Sequence, residues 1–328
     1  MSALPEITPD PPTPSPSAAP APPDATPAFA GGAPASPAFA GAEPSPPDAL
    51  PAFAGAEPSP PDALPAFPGA EPALPAEPAL PSGAPNLLWY LTEPTRAVVD
   101  IGQFAATRSL LRAAPSGDGH GVLVLPGLGA TDGATGMLRK FLAGLGYDVR
   151  GWGLGRNIGP SVPVVTGMRA LLEDMAARGP VSLVGWSLGG IFARELARER
   201  PELVRQVVTL GSPYAMTDLR QTRVNPVYQL LARFYVTGAD RPPPEHTRPP
   251  IPVPATSVYS KSDGIVAWRT CVEEPGPRRE NVAVASSHLG YGYNSTVWWV
   301  VADRLAQPAD DWRPFTPPPG MAKMFPAP

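Results

Sequence analysis

From Val122 onward, short apolar runs alternate with amphipathic stretches. Val122-Leu123-Val124-Leu125 is unbroken and stops at Pro126-Gly127, the pattern of a strand buried on both faces. Residues 134–145 predict a helix closed by Gly146, and Tyr147–Trp152 a second strand. A helix over 164–178 ends before Gly179-Pro180. Val181–Trp186 reads as another buried strand, and Leu188–Arg200 as a helix stopped by Pro201. Val204–Leu210, Ala255–Ser260 and Asn281–Ala285 complete the strands, and Ser295–Ala306 is the last helix. Strands alternating with helices predict an α/β fold: a mostly parallel sheet with helices on both faces, over residues 116–310.

Three regions break the pattern. Residues 86–115 place Leu87, Leu88, Trp89, Leu91, Val98, Ile101 and Phe104 at roughly helical spacing, with Pro94 dividing them. They predict a helical arm packed on the domain; their charges form no single basic face of the kind a membrane-surface helix carries. Between 211 and 254 the alternation fails, and Pro242-Pro243-Pro244 and Pro249-Pro250 mark a stiff insertion or lid over one end of the sheet. Its Leu219, Val227, Tyr228, Leu230, Leu231, Phe234 and Tyr235 either line a pocket at that end or pack the insertion on the sheet. Residues 311–328 form a Pro-rich C-terminal tail.

Residues 1–85 differ in kind. They hold 26 of the 51 prolines, nine acidic residues and no Lys, Arg or His. The remaining residues carry all 25 basic residues against 20 acidic ones, so the chain's −4 averages two unlike pieces. Pro37–Leu50 and Pro51–Leu64 are identical, PAFAGAEPSPPDAL, and Pro65–Leu74 begins a third copy. This 14-residue repeat offers too little apolar surface to stack into a core. The composition predicts a disordered, polyproline-rich tail acting as a linker or solubilising segment. Its alternative is docking to a Pro-recognising partner, although the PxxP at Pro44 to Pro47 has no basic neighbour.

Composition also excludes. No apolar run is long enough for a spanning helix, and the N-terminus has neither a basic nor an apolar signal region, so a cytoplasmic location is expected. One cysteine, Cys271, forms no internal disulfide and is expected to be a buried apolar residue beside Trp268. No block of basic charge suggests nucleic-acid binding.

Gly185-Trp186-Ser187-Leu188-Gly189 is G-x-S-x-G between a predicted strand and a predicted helix. That is the context of a nucleophile elbow, in which small residues let a sharp turn approach neighbouring backbone. A capped strand-to-helix turn is the plainer reading. A serine needs a base. Only His246 and His288 follow Ser187; His246 lies among prolines, whereas His288 follows the last strand, at the sheet end where ligands bind. His120 precedes the first strand and is read as a surface histidine. Asp263, after the strand Ala255–Ser260, is the candidate acid; Asp240, Glu245, Glu273 and Glu274 compete. Oxyanion donors are expected at the Leu188 N–H and in the loop Pro126-Gly127-Leu128-Gly129, at Leu128, with Gly127 or Gly129 as alternatives. That loop lacks the third glycine of a dinucleotide fingerprint, and no P-loop occurs, so no cofactor and no metal are expected.

Six segments in order, LPGLGATD, GWGLGRNIG, GWSLGG, LGSPY, YSKSDGIV and SSHLGYG, resemble the α/β-hydrolases of bacterial lipase/esterase type over roughly residues 120–306. Tyr214 stands where histidine is common in LGSPY, and the PGLG loop has no preceding histidine. The resemblance implies hydrolysis of a small-molecule or lipid ester by Ser187, His288 and Asp263 without a cofactor. An acyltransferase or thioesterase would use the same three residues, and a catalytically silent scaffold recruited through the Pro-rich tail is the non-enzyme alternative.

Overall fold

A computed structural model describes residues 83–231, 245–308 and 311–327. The repeat and the disorder expected of it lie outside these residues, as do Phe234, Tyr235, Asp240 and Pro242–Pro244.

The strands are β1 (Gly121–Leu125), β2 (Asp148–Gly151), β3 (Val181–Trp186), β4 (Val204–Leu210), β5 (Ala255–Tyr259) and β6 (Arg279–Ala283). All pair in parallel, in the order β2-β1-β3-β4-β5-β6. The helices are α1 (Leu87–Leu91), α2 (Glu93–Thr107), α3 (Asp132–Gly144), α4 (Val162–Ala176), α5 (Leu188–Glu199), α6 (Asn225–Leu231) and α7 (Ser295–Leu305). Each predicted strand and helix of the α/β region forms within about two residues of its expected ends, the usual uncertainty of element boundaries.

Successive strand residues point to opposite faces, and each face has its own core. Val122, Val124, Val184 and Val208 meet α3 and α7 on one side. Leu123, Leu125, Leu183 and Val207 meet α4 and α5 on the other. Burying each such side chain stabilises the fold by roughly 1.5–3 kcal/mol, so both faces contribute. The order has one consequence for function. From β1 the chain leaves toward β2, and from β3 it leaves toward β4, so the loops after these adjacent strands diverge. A crevice opens at such a switch point.

The N-terminal arm is helical and breaks before Pro94, and it meets the domain largely through charged side chains. Its buried side chains include Glu93, 2% exposed, and Asp100, 6% exposed. Leu88 and Val98 are each 66% exposed. Among the apolar residues of the arm, Phe104 packs against Trp298, Leu111 joins the same core and Tyr90 packs on the cluster around Tyr259. The reason is that the arm meets loop backbone rich in free N–H groups, which carboxylates satisfy and leucines do not.

The C-terminal segment is not a free tail. Phe315, Met321, Met324 and Phe325 pack on the α7 side of the core, and the Phe315 N–H donates to Glu280 at 2.6 Å. In the insertion, α6 buries no side chain, and Val227 and Leu230 are exposed, so these residues do not pack on the sheet. Among the described residues no helix is long and apolar enough to cross a membrane.

Candidate active site

β3 runs straight into Ser187, whose φ of 53° and ψ of −120° lie in a region that side-chain-bearing residues avoid. Such strain costs on the order of 1–3 kcal/mol and persists only where surroundings enforce it. Here the Ser187 N–H donates to the Leu210 carbonyl at 2.8 Å, and the Gly190 N–H to the Ser187 carbonyl at 3.0 Å. The flanking glycines are steric requirements. A Cβ on Gly185 would overlap the backbone of Gly189 and Gly190, and one on Gly189 would overlap the Leu125 and Pro126 carbonyls. Ser187 sits partly exposed at the N-terminus of α5, whose first N–H groups point toward any charge forming there.

Asp263 and His288 come together. Asp263 Oδ2 lies 2.6 Å from His288 Nδ1, and both residues are buried. Asp263 Oδ1 accepts from the Ile265 and Val266 N–H groups at 2.8 and 2.9 Å, which aims Oδ2 at the imidazole. This pairing puts the proton on Nδ1 and leaves Nε2 as the acceptor. Burial pulls the His288 pKa down, but the Asp263 charge and hydrogen bond, aided by the Glu93 charge, outweigh it and raise it above the usual value. The Trp186 indole N–H donates to the His288 carbonyl at 3.2 Å, tying the residue before the serine to the histidine loop.

The loop after β1 lies against the serine. A Cβ on Gly127 would stand 3.2 Å from Ser187 Cβ and 3.9 Å from its Oγ. Asn157, from GWGLGRNIG, clamps this loop. Its amide donates to the Pro126 carbonyl at 2.8 Å, its backbone N–H to the Ala130 carbonyl at 2.8 Å, and its carbonyl accepts the Gly129 N–H at 2.7 Å. The Gly129 N–H is therefore committed. Sequence reasoning assigned Asn157 no role; its side chain bonds a loop 31 residues away, which no local pattern reports.

The competing residues have other work. Glu273 and Glu245 both pair with the buried Arg194 of α5, and Glu245 also meets Arg198 at 2.6 Å and Arg248 at 3.0 Å. Arg194 lies 3.8 Å over the Tyr214 ring, and the Tyr214 hydroxyl donates to the Cys271 carbonyl at 2.9 Å. This cluster fastens the return of the insertion to α5. Glu274 is exposed, and His246 falls in the turn Glu245–Thr247. Cys271 is buried, and burial pushes its thiol pKa well up, which leaves it inert. His120 is not a surface histidine. Its ring is largely covered, bonded to Asp118 on one side and to Ser182 Oγ at 2.8 Å on the other. Among the described residues no group of His, Cys, Asp and Glu is arranged to hold a metal ion.

No family model matches the sequence, and no curated protein matches it. Among solved structures, RedJ with a PEG molecule bound in the active site is 20% identical, with 58% of this chain and 90% of that chain covered and a TM-score of 0.40. Lipase B of Aspergillus fumigatus is 18% identical over 61% of this chain and 58% of that one, with a TM-score of 0.43. A pyrethroid hydrolase from Sphingobium faniae JZ-2 is 17% identical over 58% and 99%, with a TM-score of 0.40. The fold itself is read from the chain's own features: a parallel sheet with a switch point between β1 and β3, helices on both faces, and a serine held at positive φ between β3 and α5. On these features the described residues have the architecture of an α/β-hydrolase fold.

Proposed function

We propose that the protein is a serine hydrolase of carboxylic esters that works through an acyl-enzyme. The observation that carries this reading is the 2.6 Å bond between His288 Nδ1 and Asp263 Oδ2 at the sheet end that bears the strained Ser187 turn. Asp263 holds the imidazole in the tautomer that leaves Nε2 free to accept a proton. His288 takes the Ser187 proton as Oγ attacks the ester carbonyl. The Leu188 and Leu128 N–H groups hold the oxyanion; Gly129 drops out because its N–H is bonded to Asn157. The tetrahedral intermediate collapses, its C–O bond breaks, and His288 gives the proton to the leaving alcohol. Water then attacks the acyl-enzyme with His288 again as base, releasing acid and free serine. The raised His288 pKa suits a group that must carry a proton between these steps.

An apolar acyl group fits the surroundings. Leu289, directly after His288, is an exposed apolar residue at the site. Ser187→Ala is expected to lower kcat on p-nitrophenyl esters by about 10⁴- to 10⁶-fold and to abolish labelling by a fluorophosphonate probe. Labelling that survives in that variant overturns the reading.

A further inference from the structure

The proposed triad leaves a buried carboxylate unexplained. Glu93, the first residue of α2, lies 170 positions before Asp263, yet it touches both loops of the site. Its Oε1 accepts the Gly264 N–H at 2.7 Å and the His288 N–H at 3.1 Å, and its Oε2 accepts the Leu289 N–H at 3.2 Å. One turn on, Arg96 pairs with Oε1 at 2.7 Å and donates to the Ser262 carbonyl at 2.6 Å. Two turns on, Asp100 Oδ2 accepts the Ser287 N–H at 3.0 Å and its hydroxyl at 2.6 Å. These positions share one helix face, so a single helix caps the acid loop and the base loop together.

The glycines of both loops agree. A Cβ on Gly264 would come within 2.5 Å of the Trp89 carbonyl oxygen, and one on Gly290 would overlap the Asp100 carboxylate. Each loop therefore carries a glycine where the arm must approach.

We propose that Glu93 is a positioning residue of the esterase reaction: its carboxylate locks the Asp263 loop to the His288 loop and holds a fixed negative charge beside the imidazole. This rests on the serine hydrolase reading. Glu93 does not touch substrate; it acts through His288. The groups facing His288 are Asp263, Glu93 with its partner Arg96, Asp100 through Ser287, the Tyr291 ring at 6.0 Å between centroids, and Trp186. Of the carboxylates, Asp263 and Glu93 act on the histidine electrostatically, both stabilising its protonated form.

The test is the pH profile of kcat/KM for p-nitrophenyl ester hydrolysis by the full chain, alongside fluorophosphonate labelling. Glu93→Gln keeps the shape and removes the charge. Its acidic limb is expected to move to lower pH, because the imidazolium loses a stabilising charge, and kcat should fall by about 10-fold or more with KM little changed. Asp100→Asn loosens the same loop and serves as control: kcat should fall while the limb stays. Glu93→Asp keeps the charge but is one methylene too short to reach both loops, so kcat should fall with the limb in place. A Glu93→Gln limb that coincides with the wild type overturns the proposal. So does a limb that moves equally in Asp100→Asn, or, should Glu93→Gln not fold, a Glu93→Asp variant with wild-type kcat. A wild-type chain that neither labels nor hydrolyses ester removes the underlying reading; one that labels, with an unmoved limb, removes the role of Glu93 alone.

Discussion

Two groupings of serine, histidine and aspartate stand at opposite ends of the same sheet. Ser187, His288 and Asp263 gather at the C-terminal ends of the strands. Ser182, His120 and Asp118 gather at the other end, with His120 bonded to Asp118 through Nδ1 and to Ser182 through Nε2. In residue type and tautomer the second group matches a catalytic triad. It differs in every other respect. Ser182 is 0% exposed and sits inside β3, opposite Val122 on one neighbouring strand and Gln206 on the other, so no ester can reach its hydroxyl. Ser187 occupies a strained, partly exposed turn at a helix N-terminus, beside the loop at Gly127. Burial, strengthened by the Arg205 charge, overcomes the pull of Asp118 and lowers the His120 pKa, whereas that of His288 is raised. Three residue types in a row do not make a nucleophile; access, backbone strain and donors for the oxyanion do.

Exchanging the aspartates gives the widest predicted separation. Asp263→Asn should cost about 10⁴-fold in kcat by favouring the wrong imidazole tautomer. Asp118→Asn should leave kcat within about twofold, since nothing links it to the reacting atoms. A comparable loss in both would break the distinction.

The serines separate next. Ser182→Ala should leave ester turnover and probe labelling intact while costing about 1–3 kcal/mol of stability, because His120 Nε2 loses its donor in a covered site. Thermal unfolding with parallel kinetics reads both effects.

The smallest effect is on stability against pH. Because the folded His120 pKa lies below the usual value of about 6.5, the unfolded chain takes up a proton first as pH falls, and stability drops below that value. His288, raised, acts in the opposite sense: its contribution is present below about 6.5 and is lost as pH rises through its folded pKa. His120→Gln should therefore flatten the fall of Tm below about pH 6.5, and His288→Gln should flatten the loss of Tm as pH rises above it. Equal slopes in both variants would contradict the opposite directions.

Much of this was legible along the chain. β4 forms over Val204–Leu210 as predicted and the other strands lie close to theirs; the signal is clearest in the central β1 and β3, which are buried on both faces and mostly apolar. The elbow was legible for a steric reason: only glycine fits at 185 and 189 once strand and helix close on each other. His288 followed by elimination from three histidines. The arm's contacts were not legible, because the surface awaiting its carboxylates was loop backbone that only the folded domain presents. Asn157 and His120 were missed for a related reason, as each bonds a partner that only the closed sheet brings near.

Sequence alone determined the alternation of elements and the strained serine between its glycines, and it singled out the Asp263 and His288 that the fold brings together. These depend on local sterics and on the periodicity of burial, which each segment carries within itself. Only the tertiary structure decided that Glu93 and Asp100 bind the histidine loop, that Asn157 clamps the loop beside the serine, and that a second serine, histidine and aspartate form a structural lock. Most of those contacts join residues far apart along the chain, up to 196 positions for Glu93 and Leu289, and a hydrogen-bonding group reveals no partner until folding removes the water that could take its place.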